Sequence, residues 1–242
     1  MKKLKLVHLA LLALMTLNLS GQDSKFHLSK EKIIENAWSA MFGELTSDEV
    51  KSISVEVRDK EMTLTNKILV KRPNLYRNIN DDSTLIFDGR RVVEIKNIAN
   101  KGVNPNAEIL SSNHWAHFEV DIALIFPAIF DHPSKFHGLR EIEGKMVYEF
   151  FVALPLGGNV NYFIDAVNFK IIKRIARWEG NLAHREFVTM IAKHKTYDNI
   201  IYPEGFSYLS RDGKEKHVFY EKININPIHN NEIFNLGNYL KD

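Results

Sequence analysis

Apolar residues change their period along the chain, and each change predicts an element. Leu6 to Leu19 is apolar except for His8, Thr16 and Asn18. From Ser29 the residues Ile33, Ile34, Ala37, Trp38 and Met41 recur at helical spacing, with Ser29 as N-cap and Gly43 as the stop. An amphipathic helix over 29–42 is expected, with Trp38 a core or helix-to-sheet contact. The period then falls to two. Ile53, Val55 and Val57 alternate with Ser54, Glu56 and Arg58 before the polar turn Asp59-Lys60-Glu61. Met62, Leu64 and Ile68–Val70 form the next strand, and 75–79, 84–87 and 91–98 give three more. Asn80-Asp81-Asp82 and Asp88-Gly89-Arg90 supply their turns. The first half is a five-stranded meander.

Residues 99–106 are polar, with Gly102 and Pro105, and read as a loop. Over 107–130 the alternation disappears. Phe118, Ile122, Ile125, Phe126 and Ile129 fall at helical spacing, and Pro127 ends or kinks that helix. Strands resume at 139–142, 145–154, 160–165, 169–178, 185–197, 205–210 and 214–226, with Arg211-Asp212-Gly213 as the last hairpin turn. Met146, Tyr148, Phe150 and Val152 share one face of their strand; Val160, Tyr162 and Ile164 share one face of the next. Such a face must be covered, and the helix at 29–42 and the insertion at 107–130 are the segments available. The expected fold is mainly β with some α. A curved antiparallel sheet of about 11 strands forms an unclosed β-barrel, covered by an N-terminal helix and a mid-chain helical insertion. No repeat or linker divides it, so residues 22–242 are expected to be one domain.

The leader decides the compartment. Lys2, Lys3 and Lys5 precede the apolar stretch, Ser20-Gly21-Gln22 follows it, and the first acid is Asp23. A signal peptide over 1–21 is expected, since a membrane span needs about 20 apolar residues. With no Cys, the chain has neither a lipid-modified cysteine nor a disulfide. Formal net charge is +2, and three of the positive charges are the leader lysines, leaving −1 for the mature chain. That balance removes the electrostatic case for nucleic-acid binding. At 45% hydrophobic and 26% charged residues, the full chain has a globular composition, and no stable membrane span is expected in its mature part.

Several short motifs now carry a resemblance. They are Arg72-Pro73-Asn74-Leu75-Tyr76-Arg77, the aromatic-Asp-Gly turn Phe87-Asp88-Gly89-Arg90-Arg91, and Tyr162-Phe163-Ile164-Asp165 with Phe169 and Lys173-Arg174 after it. Ile200-Ile201-Tyr202-Pro203 and Glu232-Ile233-Phe234 add to them. With the leader, first helix, curled sheet and apolar insertion, the chain resembles the LolA/LolB-like lipoprotein-localisation superfamily; its bulkier insertion sets it apart from the carrier itself. The resemblance implies a half-barrel whose concave apolar face, lidded by helices, holds acyl chains in the periplasm. The implied partner is a lipid or acylated protein, with transient contact to membrane or envelope proteins. The family's lid-locking arginine maps to no single residue by sequence. On these grounds the expected ligand site takes Trp115, Phe118, Ile122, Phe126 and Phe130 from the insertion and Tyr148, Phe150, Tyr162 and Ile164 from the sheet.

Chemistry is sparse. His114 and His117, three apart on one helix face with Glu119 and Asp121 beyond, form the best metal-like cluster. They do not make His-Glu-x-x-His, and ten histidines make chance pairs common. Asp88 and Asp165 are explained by turns. No nucleophile elbow, phosphate loop or Cys nucleophile is present, so no cofactor, metal or catalytic residue is assigned. Three functions stay open. A carrier predicts a cavity its own side chains leave unfilled; an envelope interaction protein predicts a filled core and an exposed apolar patch; a metal enzyme predicts converging imidazoles and carboxylates.

Overall fold

The computed structural model describes residues 27–59, 65–96, 107–110, 115–179, 184–210, 212–227 and 230–240. The leader, residues 60–64, the 99–106 loop and His114 lie outside them. Helix α1 spans Lys30–Phe42. Ser29 Oγ accepts from Lys32 N at 3.2 Å, and Gly43, at φ +63°, donates to Ser39 O at 2.9 Å. These are the cap and stop the sequence predicts. The helix buries Ile33, Ala37, Met41 and Phe42.

Fifteen strands follow among the described residues: β1 Ser52–Asp59, β2 Thr65–Lys71, β3 Leu75–Ile79, β4 Ser83–Phe87, β5 Val92–Lys96, β6 Ala107–Ile109, β7 Ser134–Ile142, β8 Lys145–Ala153, β9 Asn159–Asp165, β10 Ile171–Glu179, β11 His184–Met190, β12 His194–Tyr197, β13 Ile200–Pro203, β14 Gly205–Leu209 and β15 Glu215–Ile225. Thirteen form one antiparallel sheet in the order β6-β5-β4-β3-β2-β1-β15-β14-β11-β10-β9-β8-β7. Its edges β6 and β7 do not pair, so the barrel stays open. β12 and β13 form a separate hairpin. The count exceeds the expected 11 because short segments with little alternation are recruited by neighbours. Residues 107–109 pair with β5, and 200–203 fold back on 194–197.

Between β5 and β7, helix α2 spans Trp115–Ile125, and Pro127 precedes a 3-10 turn at Ala128–Phe130. Eight of its eleven residues are buried, including Phe118, Ile122 and Ile125. A helix apolar nearly all round belongs inside, and α2 lies across the concave face against β3, β9 and β10. The concave side carries the main core, joining α1, α2 and strands on both halves of the sheet. The convex side of β4 and β5 is also covered. Ile86, Val93 and Ile95 pack there against Phe234 and Leu236 from two C-terminal 3-10 turns.

Candidate functional site

The sheet holds α2 by its last turn. The final carbonyls of a helix have no partner within it, and three buried side chains meet them. Tyr162 donates to Ala123 O at 2.9 Å while accepting from Ala128 N at 2.8 Å. Arg174 Nη1 donates to Leu124 O, and the Tyr202 hydroxyl donates to Ile125 O. A guanidinium at this end also opposes the negative pole of the helix dipole. Burial pushes the Tyr162 and Tyr202 phenols well up, so both remain donors across the physiological range.

Two further ties fix the helix. Glu119 is buried, and its carboxylate accepts from Leu156 N at 2.6 Å. Burial raises its pKa and that N–H opposes the rise. The turn it grips approaches closely because position 158 is glycine: a Cβ there would stand 3.0 Å from Val120 Cγ2 and 3.4 Å from Ala116 O. Beyond the helix, Arg72 in the β2–β3 turn binds Asp131 through Nε at 2.9 and 3.0 Å. Its Nη1 donates to Val50 O at 2.6 Å. Arg72 and Arg174 both tie helical segments to the sheet.

The nine residues expected at the site meet across the sheet-to-helix interface, and they meet filled. Phe118 lies against Tyr76 and Phe87. Phe126 and Phe130 join Trp38 and Phe42 in one aromatic cluster. Tyr148, Phe150, Tyr162 and Ile164 are each no more than 1% exposed, and Phe136 stacks on Phe150 at 4.9 Å. Trp115 is half-buried at the start of the helix. The space beside Ile122 and Phe126 amounts to about 10 Å³, room for at most one water.

An open volume lies on the other side of α2. A cavity of about 270 Å³ is walled by Leu124 and Ile125 from the helix, Val57, Ile68 and Tyr76 from β1–β3, Phe187 from β11, and Phe206, Tyr208, Val218 and Tyr220 from β14 and β15. None of the nine is among its walls. Asn78 and Asp121 add a polar edge at the β3 side. Burial raises the Asp121 carboxyl, and His117, 3.6 Å away, opposes that rise. The signal for these walls was the two-residue alternation of β14 and β15, which also makes an apolar face.

His117 lies 5.2 Å from the Trp178 ring, and no three metal-type side chains converge among the described residues. Asp88 Oδ1 accepts from Arg90 N and Arg91 N, and Asp165 Oδ1 from Val167 N and Asn168 N, so both serve turns. His194 packs beneath α1 against Ala37, Met41 and Ile171. Burial first, then the charges of Lys170 and Arg174, lowers its pKa to about 4. The folded state thus holds His194 neutral, while the unfolded chain takes a proton near pH 6.5. Its contribution to stability is complete above pH 6.5 and is lost as pH falls towards 4. Urea unfolding of wild type and His194→Phe should show their stability difference shifting towards the variant across that window. Parallel curves would refute the assignment.

No family model and no curated protein matches the chain in sequence. Solved structures do match in shape. A LolA-superfamily protein from Nitrosomonas europaea aligns at TM-score 0.55 and 12% identity, over 86% of this chain and 97% of that one. A domain described as a candidate outer-membrane lipoprotein-sorting protein from Vibrio parahaemolyticus aligns at 0.54 and 11%, over 86% and 97%. A DUF1329-family protein from Desulfovibrio piger aligns at 0.54 and 8%, over 87% and 98%. At these identities the likeness speaks for fold, and it agrees with the open sheet and its two helices: the chain has a LolA-like fold.

Proposed function

We propose that the protein is an exported binding or carrier protein for an acyl chain, free or attached to a lipid or protein, acting in the periplasm after removal of residues 1–21. One observation carries the reading: a cavity of about 270 Å³ stays open between helix and sheet, walled largely by apolar side chains. Its volume is near the lower end of small-ligand sites, ~300 Å³. Its walls are mostly aliphatic and aromatic. The lipoprotein-sorting description of the Vibrio neighbour points the same way at the level of fold.

Energetics suit a transfer role. Each methylene moved out of water contributes about 0.8 kcal/mol, and a bilayer offers the same. A carrier therefore needs to hold its chain only slightly better than a membrane does, and adaptable aromatic walls meet that requirement. The nine packed residues would form the rigid floor beside the ligand, with Leu124 and Ile125 turning the other side of the same helix towards it.

Filling the cavity tests the proposal. Ile68 is half-buried on β2 and faces the space, so Ile68→Trp adds bulk into a void. Titration with a fluorescent fatty acid should show affinity reduced about tenfold or more, with the thermal midpoint changed little. Wild type that binds no probe, and carries no lipid in native mass spectrometry, would leave the carrier reading without support.

A further inference from the structure

We propose that Asp121 is the head-group residue of the 270 Å³ cavity, and that the acyl chain held there ends in an ammonium-bearing head. The inference rests on the carrier reading above and adds the head chemistry to it. Asp121, Leu124 and Ile125 lie three and four positions apart on α2, and all three wall the cavity. The helix thus sets one carboxylate on the same face as two aliphatic side chains, one turn before its end. Among the described walls Asp121 is the one acidic side chain, and none is basic.

That carboxylate is open to a partner. Its side chain is 30% exposed, and the ionisable group beside it, His117 Nε2, stands 3.6 Å from Oδ1, too far for a hydrogen bond. Among the described residues no hydrogen bond reaches either oxygen. The polar groups next to it are engaged elsewhere. Tyr76 and Asn78, two apart on β3, hydrogen-bond one another through their side chains. Arg174 stands behind the walls and is committed there: Nε donates to Thr189 Oγ1, Nη1 to Leu124 O, and the guanidinium also bonds the Tyr220 hydroxyl.

Charge then selects the head. An anionic head would be desolvated next to a carboxylate, with no cation in the walls to offset it. An ammonium brings three N–H donors and the opposite charge to an acceptor that lacks a hydrogen bond. The rings of Tyr76, Phe187, Phe206, Tyr208 and Tyr220 also wall the space, and aromatic faces attract cations. Phe206 already does so from behind, with the Arg174 guanidinium carbon 5.6 Å from its ring centroid. Val57, Ile68 and Val218, on the adjacent strands β1, β2 and β15, give the tail an aliphatic floor.

The experiment displaces the neutral probe N-phenyl-1-naphthylamine from the purified protein at pH 7.5, using dodecylamine, dodecanol or dodecanoate below their micellar ranges. The competitors share a chain and differ in the head, and the amine is protonated at that pH as a lysine is. Dodecylamine should compete about tenfold better than dodecanol, as a charge-assisted hydrogen bond implies, and dodecanoate should be the weakest of the three. In Asp121→Asn the preference for the amine should collapse towards equality, with the melting midpoint and dodecanol affinity at wild-type values. Asp48→Asn, which removes one negative charge at a side chain 99% exposed, should keep the preference. Equal competition by amine and alcohol in wild type, or a preference for dodecanoate, would overturn the ammonium head while leaving an acyl-chain carrier. That ranking needs no variant to fold. A preference unchanged in Asp121→Asn, or lost equally in Asp48→Asn, would overturn the assignment to Asp121. Absence of any probe or ligand binding in wild type would remove both this inference and the carrier reading.

Discussion

Arg72→Leu is expected to destabilise the protein by about 3–5 kcal/mol, a fall in melting midpoint of roughly 6–20 °C for a chain of this size. The side chains of Arg72 and Asp131 are 13% and 11% exposed, so removing the guanidinium strands a buried carboxylate. It also strips donors from Val50 O and from Ser47 O, the latter at 2.5 Å. Arg72 connects the β2–β3 turn, the segment after α1 and the turn after α2. Adding Asp131→Asn should recover part of the loss, because the stranded charge is then gone. Urea unfolding of the wild type, both single variants and the double variant reads this directly. An Arg72→Leu effect below about 1 kcal/mol would mean the pair behaves as an exposed one.

Phe126→Ala carries the other large expected effect, about 3–5 kcal/mol. Phe126 is 2% exposed, with ring centroids 5.7 Å from Phe42, 6.1 Å from Phe130 and 6.2 Å from Trp38. Arg72 lies 4.8 Å above its ring. Phe126→Leu, which keeps much of the volume, should cost less than about 1.5 kcal/mol. Probe binding should survive in both variants below their midpoints, because Phe126 does not line the 270 Å³ cavity. Loss of binding from a folded Phe126→Leu would return the ligand to the aromatic cluster. Since Arg72 and Phe126 touch, their combined effect should depart from the sum.

Much of the fold was legible from the chain. Ser29, Gly43 and the apolar stripe between them set α1 to within a residue, and Pro127 marked the end of the insertion helix. The alternation at 145–165 put Tyr148, Phe150, Tyr162 and Ile164 inside. The site was harder. Large apolar residues signal burial, but packing and an open wall use the same residue types. Arg174 is the instructive case. A β-bulge between Ile171 and Lys173 shifts the pairing of β10 with β9, so Arg174 lies opposite Tyr162 and turns inward. Strict alternation from Ile171 would have placed Arg174 outside and Lys173 inside. Tyr202 sits on a hairpin outside the main sheet, and the reach of its hydroxyl to Ile125 O depends on contacts 77 residues apart. Arg72 lay in a motif already singled out, yet its partner Asp131 is 59 residues away.

The sheet is not equally stitched along its width. β11 and β14 share a single aligned pair, Met190 with Ser207, whereas β10 and β11 share seven. Phe187 faces Phe206 and Tyr208 across that junction, with ring centroids 6.2 and 4.8 Å apart, and all three rings also wall the cavity. The junction with a single aligned pair is therefore one that walls the cavity. Such a junction is where the sheet would part at least cost. Parting it slides aromatic faces past one another and sacrifices little of the ladder, while the strongly paired leaves on either side keep their shape. On the carrier reading, capacity would then be set by the weave of the sheet as much as by the helix above it, and bulkier chains would be accommodated sideways.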